Sequence, residues 1–280
     1  MGLEKRTVKI IGIVVVILLV IGCILGLVLG LLLTRRYVEL EVWPRTEEYR
    51  WEEPLIEFRP SDPGSWHIWY SRINDFLRDY ETATPDQPPR APCSTHNRRD
   101  QQLRSDSCES AMRFWSPCTA DDFYGYHVGK PCVFLRLTHT HYWVPEPYNI
   151  STVVPMVLPP DMPEHLRRAM MQYPVHQFGD HAWLTCDGER SSDKENVGPI
   201  QYIPAELPPG FRLDRLATAD RLSYYMRNQP DRVPPPLIAV FFENPRRGVL
   251  ISVECRIWTR DIYYDRYSRI GRARFELYVN

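Results

Sequence analysis

Between Asp121 and Cys132 the sequence DDFYGYHVGKPC gathers the residue types of a phosphate cradle, two glycines followed by Lys130. A nucleotide loop of that kind needs four residues between its glycines, and a Ser or Thr after the lysine to hold magnesium. Only Tyr126, His127 and Val128 separate Gly125 from Gly129, and Pro131 stands where the hydroxyl belongs. The spacing excludes a phosphate cradle. His139-Thr140-His141 is a second chemical candidate. Residues two apart on a strand share a face and can chelate, but a structural zinc site needs about two further ligands. Nothing in the sequence fixes His176 or His181 near them, so both histidines read as surface residues. Asp121 with Asp122, and Asp187 with Glu189, are paired carboxylates. General acid–base work needs such groups to converge in one cleft; here they read as solvated turn residues. Ser191-Ser192 lacks the glycine-flanked turn of a hydrolase nucleophile. The expectation is a protein that is not an enzyme, with no cofactor, no metal and no small-molecule substrate.

The composition narrows the class. The chain has 280 residues, a net charge of −1 and a sequence pI of about 6.7. That balance lacks the clustered basic face of a nucleic-acid binder. Proline is frequent, at 26 residues against 14 glycines, and aromatic residues reach 12%. Such a mixture suits strands joined by stiff connections.

The elements that must position any site begin with a membrane anchor. Ile10 to Leu33 runs without charge and without a polar side chain beyond Cys23. As a helix rising about 1.5 Å per residue, it is long enough to cross a roughly 30 Å hydrocarbon core. A cleaved signal peptide would have a shorter apolar region and a small-residue cleavage site, whereas this run ends in Thr34-Arg35-Arg36. Met1-Gly2 does not signal myristoylation, because Arg6 occupies the position of the required hydroxyl. Basic residues flank the run on both sides, so charge does not orient it. Cysteines do. Cys93, Cys108, Cys118, Cys132, Cys186 and Cys255 all follow the span, an even set that suits an oxidising compartment. The sequon Asn149-Ile150-Ser151 lies on the same side. The expected organisation is a cytosolic tail at 1–9, a transmembrane helix at 10–34 in the lipid bilayer, a juxtamembrane stalk, amphipathic helix and linker at 35–92, and a disulfide-bonded ectodomain at 93–280. Gly22, Gly26 and Gly30 recur every four residues and form a stripe on which a second helix can pack closely.

Within the ectodomain, Tyr37 to Pro60 mixes charged and aromatic residues without a clear period. Ser65 to Glu81 predicts a helix, with Trp66, Trp69, Ile73, Phe76, Leu77 and Tyr80 on one packing face and Ser65 as N-cap. Four prolines within Thr84–Pro92 mark a linker. Asp161-Met162-Pro163-Glu164 predicts a capped short helix running to Gln172. Cys132–Leu137 and the wholly apolar Leu237–Phe242 predict buried strands. Val249–Trp258 alternates, with Val249, Ile251, Val253, Cys255 and Ile257 on one side and Ser252, Glu254 and Arg256 on the other, and Arg274–Val279 repeats the pattern. The fold class read from this is a single transmembrane helix plus an all-β, sandwich-like ectodomain with a small helical element. Gly125 and Gly129 then serve tight turns, and a local bridge from Cys118 to Cys132 would pin them.

Several of these segments resemble the sodium/potassium-transporting ATPase beta subunit family. The similarity lies in Tyr124-Gly125-Tyr126 with Gly129-Lys130-Pro131-Cys132, in Trp183-Leu184-Thr185-Cys186-Asp187-Gly188-Glu189, in Leu237–Phe242, in Ile251–Arg256 and in Gly271–Leu277. It is closest to invertebrate members. The resemblance implies a type II plasma-membrane glycoprotein with an immunoglobulin-like ectodomain. It would be a non-catalytic partner of the catalytic alpha subunit of a P-type cation pump, aiding its folding and delivery and tuning cation affinity. Six cysteines alone permit 15 pairings; the family pattern implies Cys93–Cys108, Cys118–Cys132 and Cys186–Cys255. The chain also departs from the family. Its tail is short, its span carries no aromatic residue, and of the tyrosine-rich run that contributes to the alpha-subunit contact only Tyr224-Tyr225 remains. Those departures suit an alternative, a beta-like membrane glycoprotein acting without a pump in cell adhesion or junction organisation.

Overall fold

The structure, a computed structural model, describes residues 16–26, 38–45, 53–82, 115–138, 143, 145–148, 158–172, 181–204, 209–212, 237–262 and 270–280. The chain divides into two compact units, Met1–Tyr37 and Val38–Asn280. In the first, residues 16–26 are helical, with Val16, Ile17, Leu18, Leu19, Val20, Ile21, Ile24 and Leu25 all exposed. Among the described residues no helix is long and apolar enough to cross a membrane; the expected span at 10–34 extends past them at both ends.

The second unit is a two-sheet sandwich. Its strands are β1 (Glu39–Trp43), β2 (Leu55–Phe58), β3 (Cys132–Thr138), β4 (His181–Gly188), β5 (Ile200–Ile203), β6 (Gly210–Arg212), β7 (Leu237–Phe242), β8 (Leu250–Trp258) and β9 (Arg272–Val279). Its helices are α1 (Pro63–Thr82), α2 (Glu164–Gln172) and α3 (Ser191–Asn196). One sheet has the order β1-β3-β7-β5, with antiparallel pairs throughout. The other has the order β2-β9-β8-β4-β6, antiparallel except for the parallel β2–β9 pair.

The expected alternation holds. Ile251, Val253, Cys255 and Ile257 of β8 and Phe275, Leu277 and Val279 of β9 point into the core, where they meet Val133, Leu135, Val240 and Phe242 of the facing sheet. Strands β3 and β7 carry near-continuous apolar runs because both of their faces are covered. The core lies on one side. On the other lie α1 and the segment before β3, where Trp115 stacks on Phe134 at 6.4 Å and Tyr124 meets it edge-on at 5.7 Å. All six residues of the helical stripe, from Trp66 to Tyr80, are buried. The helix begins earlier than expected. Asp62 accepts from the Gly64 amide at 3.0 Å and Pro63 takes the first helical position, while the Ser65 hydroxyl ties the chain to Arg59 and Asp62. Helix α2 ends at Gln172, as the sequence predicts. Asp161, expected to cap it, instead accepts from Arg256 at 2.7 Å.

Strands β1 and β2 lie within the segment 35–92, which the sequence reads as stalk, helix and linker, and both are integral to the sandwich. β1 pairs with β3 from Glu39↔Thr138 to Trp43↔Phe134, and β2 pairs with β9 from Leu55↔Glu276 to Phe58↔Val279. Each is too short to show a period by itself, and each finds its partner far along the chain. Strand β1 also closes the sandwich edge, because Gly271 donates to the Val38 carbonyl at 2.8 Å.

Candidate partner-binding surfaces

The DDFYGYHVGKPC segment is a pinned turn. A 3-10 turn at Phe123–Val128 places Phe123, Tyr124, Gly125 and Gly129 at positive φ. A Cβ on Gly125 would sit 1.9 Å from the Lys130 carbonyl oxygen, so no other residue fits there. The Lys130 amide donates to the Gly125 carbonyl at 3.0 Å. Tyr124 is held by its hydroxyl, 2.5 Å from the Asn74 side-chain oxygen on α1. Buried Tyr126 donates to the Cys132 carbonyl at 3.3 Å, and burial pushes its phenol well above the usual range. The Cys118–Cys132 bond closes the loop, with a Cα–Cα distance of 5.7 Å. Lys130 is exposed and its amide is already committed, so nothing in the turn gathers a phosphate.

Cys186 and Cys255 are bonded, and they stand directly opposite each other on β4 and β8. The bond therefore joins neighbouring strands of one sheet that are 69 residues apart in sequence. On the outer face of that sheet, Glu254, only 8% exposed, is the hub of an ion network. Arg256, Arg272 and Arg274 surround it, and Arg274 also reaches Glu189 at 3.0 Å and Glu53 at 3.7 Å. Burial lowers the Arg272 guanidinium, partly offset by Glu254. Nearer the β4 start, Met162 before α2 and Leu166 and Met170 on it pack against Trp183 and Trp258, whose indole donates to Thr185 at 2.6 Å.

The remaining candidates fall into place one by one. Asp122 accepts from Thr119 at 2.8 Å, inside the turn. Asp187 pairs with Lys194 at 3.4 Å, and Glu189 with Arg274. Ser191 and Ser192 open α3 and are exposed. Among the described residues no group of three or more His, Cys, Asp or Glu side chains converges for a metal. Gly22 and Gly26 lie on the helical segment with nothing within 4 Å of a built Cβ. Gly30, Cys93, Cys108, His139, His141, Asn149, His176, Tyr224 and Tyr225 lie outside the described residues. The sequence reading missed the ion network on the sheet's outer face; the alternation of Ser252, Glu254 and Arg256 was its only signal.

Comparison with known proteins agrees with this architecture. Residues 39–275 match the family model of the sodium/potassium ATPase beta chain. The chain is 31% identical over 231 residues to the sodium/potassium-transporting ATPase subunit beta-2 of Drosophila melanogaster, covering 82% of this chain and 67% of that protein. It is 30% identical over 230 residues to subunit beta-1 of the same organism, covering 81% and 66%. Subunit beta-1 of Tetronarce californica is 24% identical over 237 residues, covering 80% and 70%. The matched part thus spans about two thirds of the two fly proteins' own length. With a family model matched from β1 into β9, the chain belongs to the sodium/potassium ATPase beta chain family.

Proposed function

We propose that this chain is a non-catalytic regulatory beta subunit of a P-type sodium/potassium pump. It is a single-pass type II protein of the plasma membrane, with the sandwich outside the cell. There it pairs with the catalytic alpha subunit, aids its folding and delivery, and tunes its cation affinity. The observation that carries the reading is the family match across residues 39–275. The uniformly apolar, exposed surface of residues 16–26 supports a helix solvated by lipid rather than water. The two buried disulfides support an oxidising compartment for the sandwich. Glycosylation at Asn149, a Cys93–Cys108 bond, and contacts from Gly22, Gly26, Gly30, Tyr224 and Tyr225 to the alpha subunit belong to the same proposal.

Solubilising membranes in mild detergent and purifying the chain tests it. The pump's catalytic chain co-purifies in stoichiometric amount if the proposal holds, and its absence sinks it. The second reading, adhesion without a pump, is favoured by the reduction of the tyrosine-rich run to Tyr224-Tyr225. Clustering of cells that express the chain and lack the catalytic chain would select it.

A further inference from the structure

The outer face of the β2-β9-β8 region divides into two halves of different character. Strand register places Glu53, Arg274 and Glu254 in the first half, beside Arg272 and Arg256, where every charge has a partner. The second half contains two rows across the three strands. One row is Leu55, Glu276 and Ser252; the next is Glu57, Tyr278 and Leu250. Ile56 and Phe58 of β2, Leu277 and Val279 of β9, and Ile251 of β8 all point into the core, so these six residues share the outer side.

Leu55, Glu57 and Leu250 of this half are exposed, and Ser252, Glu276 and Tyr278 are half-buried. Leu55 is 41% and Leu250 47% exposed. Single exposed leucines are ordinary, but here two leucines and a tyrosine fall on adjacent strands of one flat face. Glu57 and Glu276 are diagonal neighbours across the parallel β2–β9 pair, and among the described residues neither carboxylate has an ion pair. The free edge of β2 is partly engaged by α1 and the turn before it. The Trp69 indole donates to the Glu57 carbonyl at 2.8 Å, and the Arg59 amide donates to Ser65. The face is the more open surface for a partner.

We propose that this face, centred on Tyr278 and flanked by Glu57 and Glu276, docks a protein segment that presents basic side chains interleaved with aliphatic ones. Leu55, Tyr278 and Leu250 would take the aliphatic groups, and the two carboxylates would take the cations. Complementarity of this kind sets register and encounter rate. The inference does not rest on the partner being a pump subunit.

The test uses the full chain in intact membranes. Tyr278→p-benzoylphenylalanine places a photocrosslinker on the face, and Ile68→p-benzoylphenylalanine on the exposed side of α1 is the control. Irradiation followed by peptide mapping is expected to give an adduct at position 278 with a protein segment of net positive charge. Its yield should fall about tenfold when Glu57→Gln and Glu276→Gln are combined, and it should fall in high salt. The same pair of substitutions should leave the thermal midpoint unchanged or slightly raised, because it removes a like-charge repulsion. Leu250→Ser is the second arm and should lower the yield without altering disulfide formation. The proposal is overturned by an adduct to a neutral or acidic segment, to lipid or to a second copy of this chain. A yield no higher than at Ile68, or one indifferent to the glutamine substitutions, overturns it equally.

Discussion

The backbone amide of Cys186 on β4 donates to the hydroxyl of Tyr202 on β5 at 2.7 Å, and this bond ties the two sheets together. Tyr202 belongs to one sheet and Cys186 to the other, so the bond is an inter-sheet link beside a disulfide. Tyr202→Phe leaves a buried N–H without an acceptor and should cost about 1–3 kcal/mol. A shift in the urea midpoint of the purified chain, with unchanged slope, measures it. Burial raises the Tyr202 phenol above its usual value of 10.0. The unfolded chain therefore releases this proton first as pH rises. The contribution is fully present below pH about 10 and is lost progressively above it. Stability of the parent chain should fall more steeply above that pH than stability of the Tyr202→Phe variant.

Two glycines at similar φ should respond differently to the same substitution. Gly248 at φ +71 has open space around a built Cβ, so Gly248→Ala meets only the left-handed penalty, about 1 kcal/mol. Gly125 at φ +76 meets the Lys130 carbonyl, so Gly125→Ala adds a backbone clash and should cost about 3 kcal/mol or more. Equal melting shifts for the two variants would refute the pinned-turn account.

Removal of the disulfides should rank by loop length. Replacing Cys186 and Cys255 together by serine opens a closure of 69 residues, worth about 4 kcal/mol on the chain-entropy model. Replacing Cys118 and Cys132 opens 14 residues, worth about 3 kcal/mol. Denaturant titration of the two double variants checks the order.

Glu254→Gln should be strongly destabilising, by about 3 kcal/mol, because it leaves three arginines around an uncharged group. Glu57→Gln on the same sheet face should be nearly silent in stability. A differential scanning comparison of the two separates a saturated network from an open one.

Helix α2 carries a titratable marker. Burial lowers the His165 imidazole below its usual value of 6.5, with Asp187 opposing and Lys194 reinforcing the shift. The folded state then binds this proton less readily than the unfolded one. Its contribution is present above pH about 6.5 and is lost as pH falls. The protection of amides across residues 164–172, taken relative to the slowing of intrinsic exchange, should fall on acidification, and His165→Gln should remove that fall.

Much of the fold was legible locally. The helix over Ser65–Glu81 announced itself because its six apolar residues repeat at three and four. Strands β8 and β9 announced themselves because one face meets the core and the other meets charge. β4 showed no period: with Trp183 packed against α2, Thr185 buried beneath the Trp258 indole, and Ala182, Leu184 and Cys186 in the core, both faces are covered and no alternation remains. β1 and β2 escaped for another reason, since strands of four or five residues carry too few positions to establish a period.

The amino-acid sequence by itself determined which segments are amphipathic, which turn requires glycine, and that the lysine beside it is no phosphate ligand. These are matters of spacing and chain geometry, fixed within a few residues. Only the tertiary structure decided that β1 and β2 complete the sheets, that Cys186 lies opposite Cys255, and that Glu254 is ringed by arginines while Glu57 and Glu276 have no ion pair among the described residues. Each of those depends on strand register between segments far apart in the chain, and register is set by which faces bury together, which local periodicity does not encode.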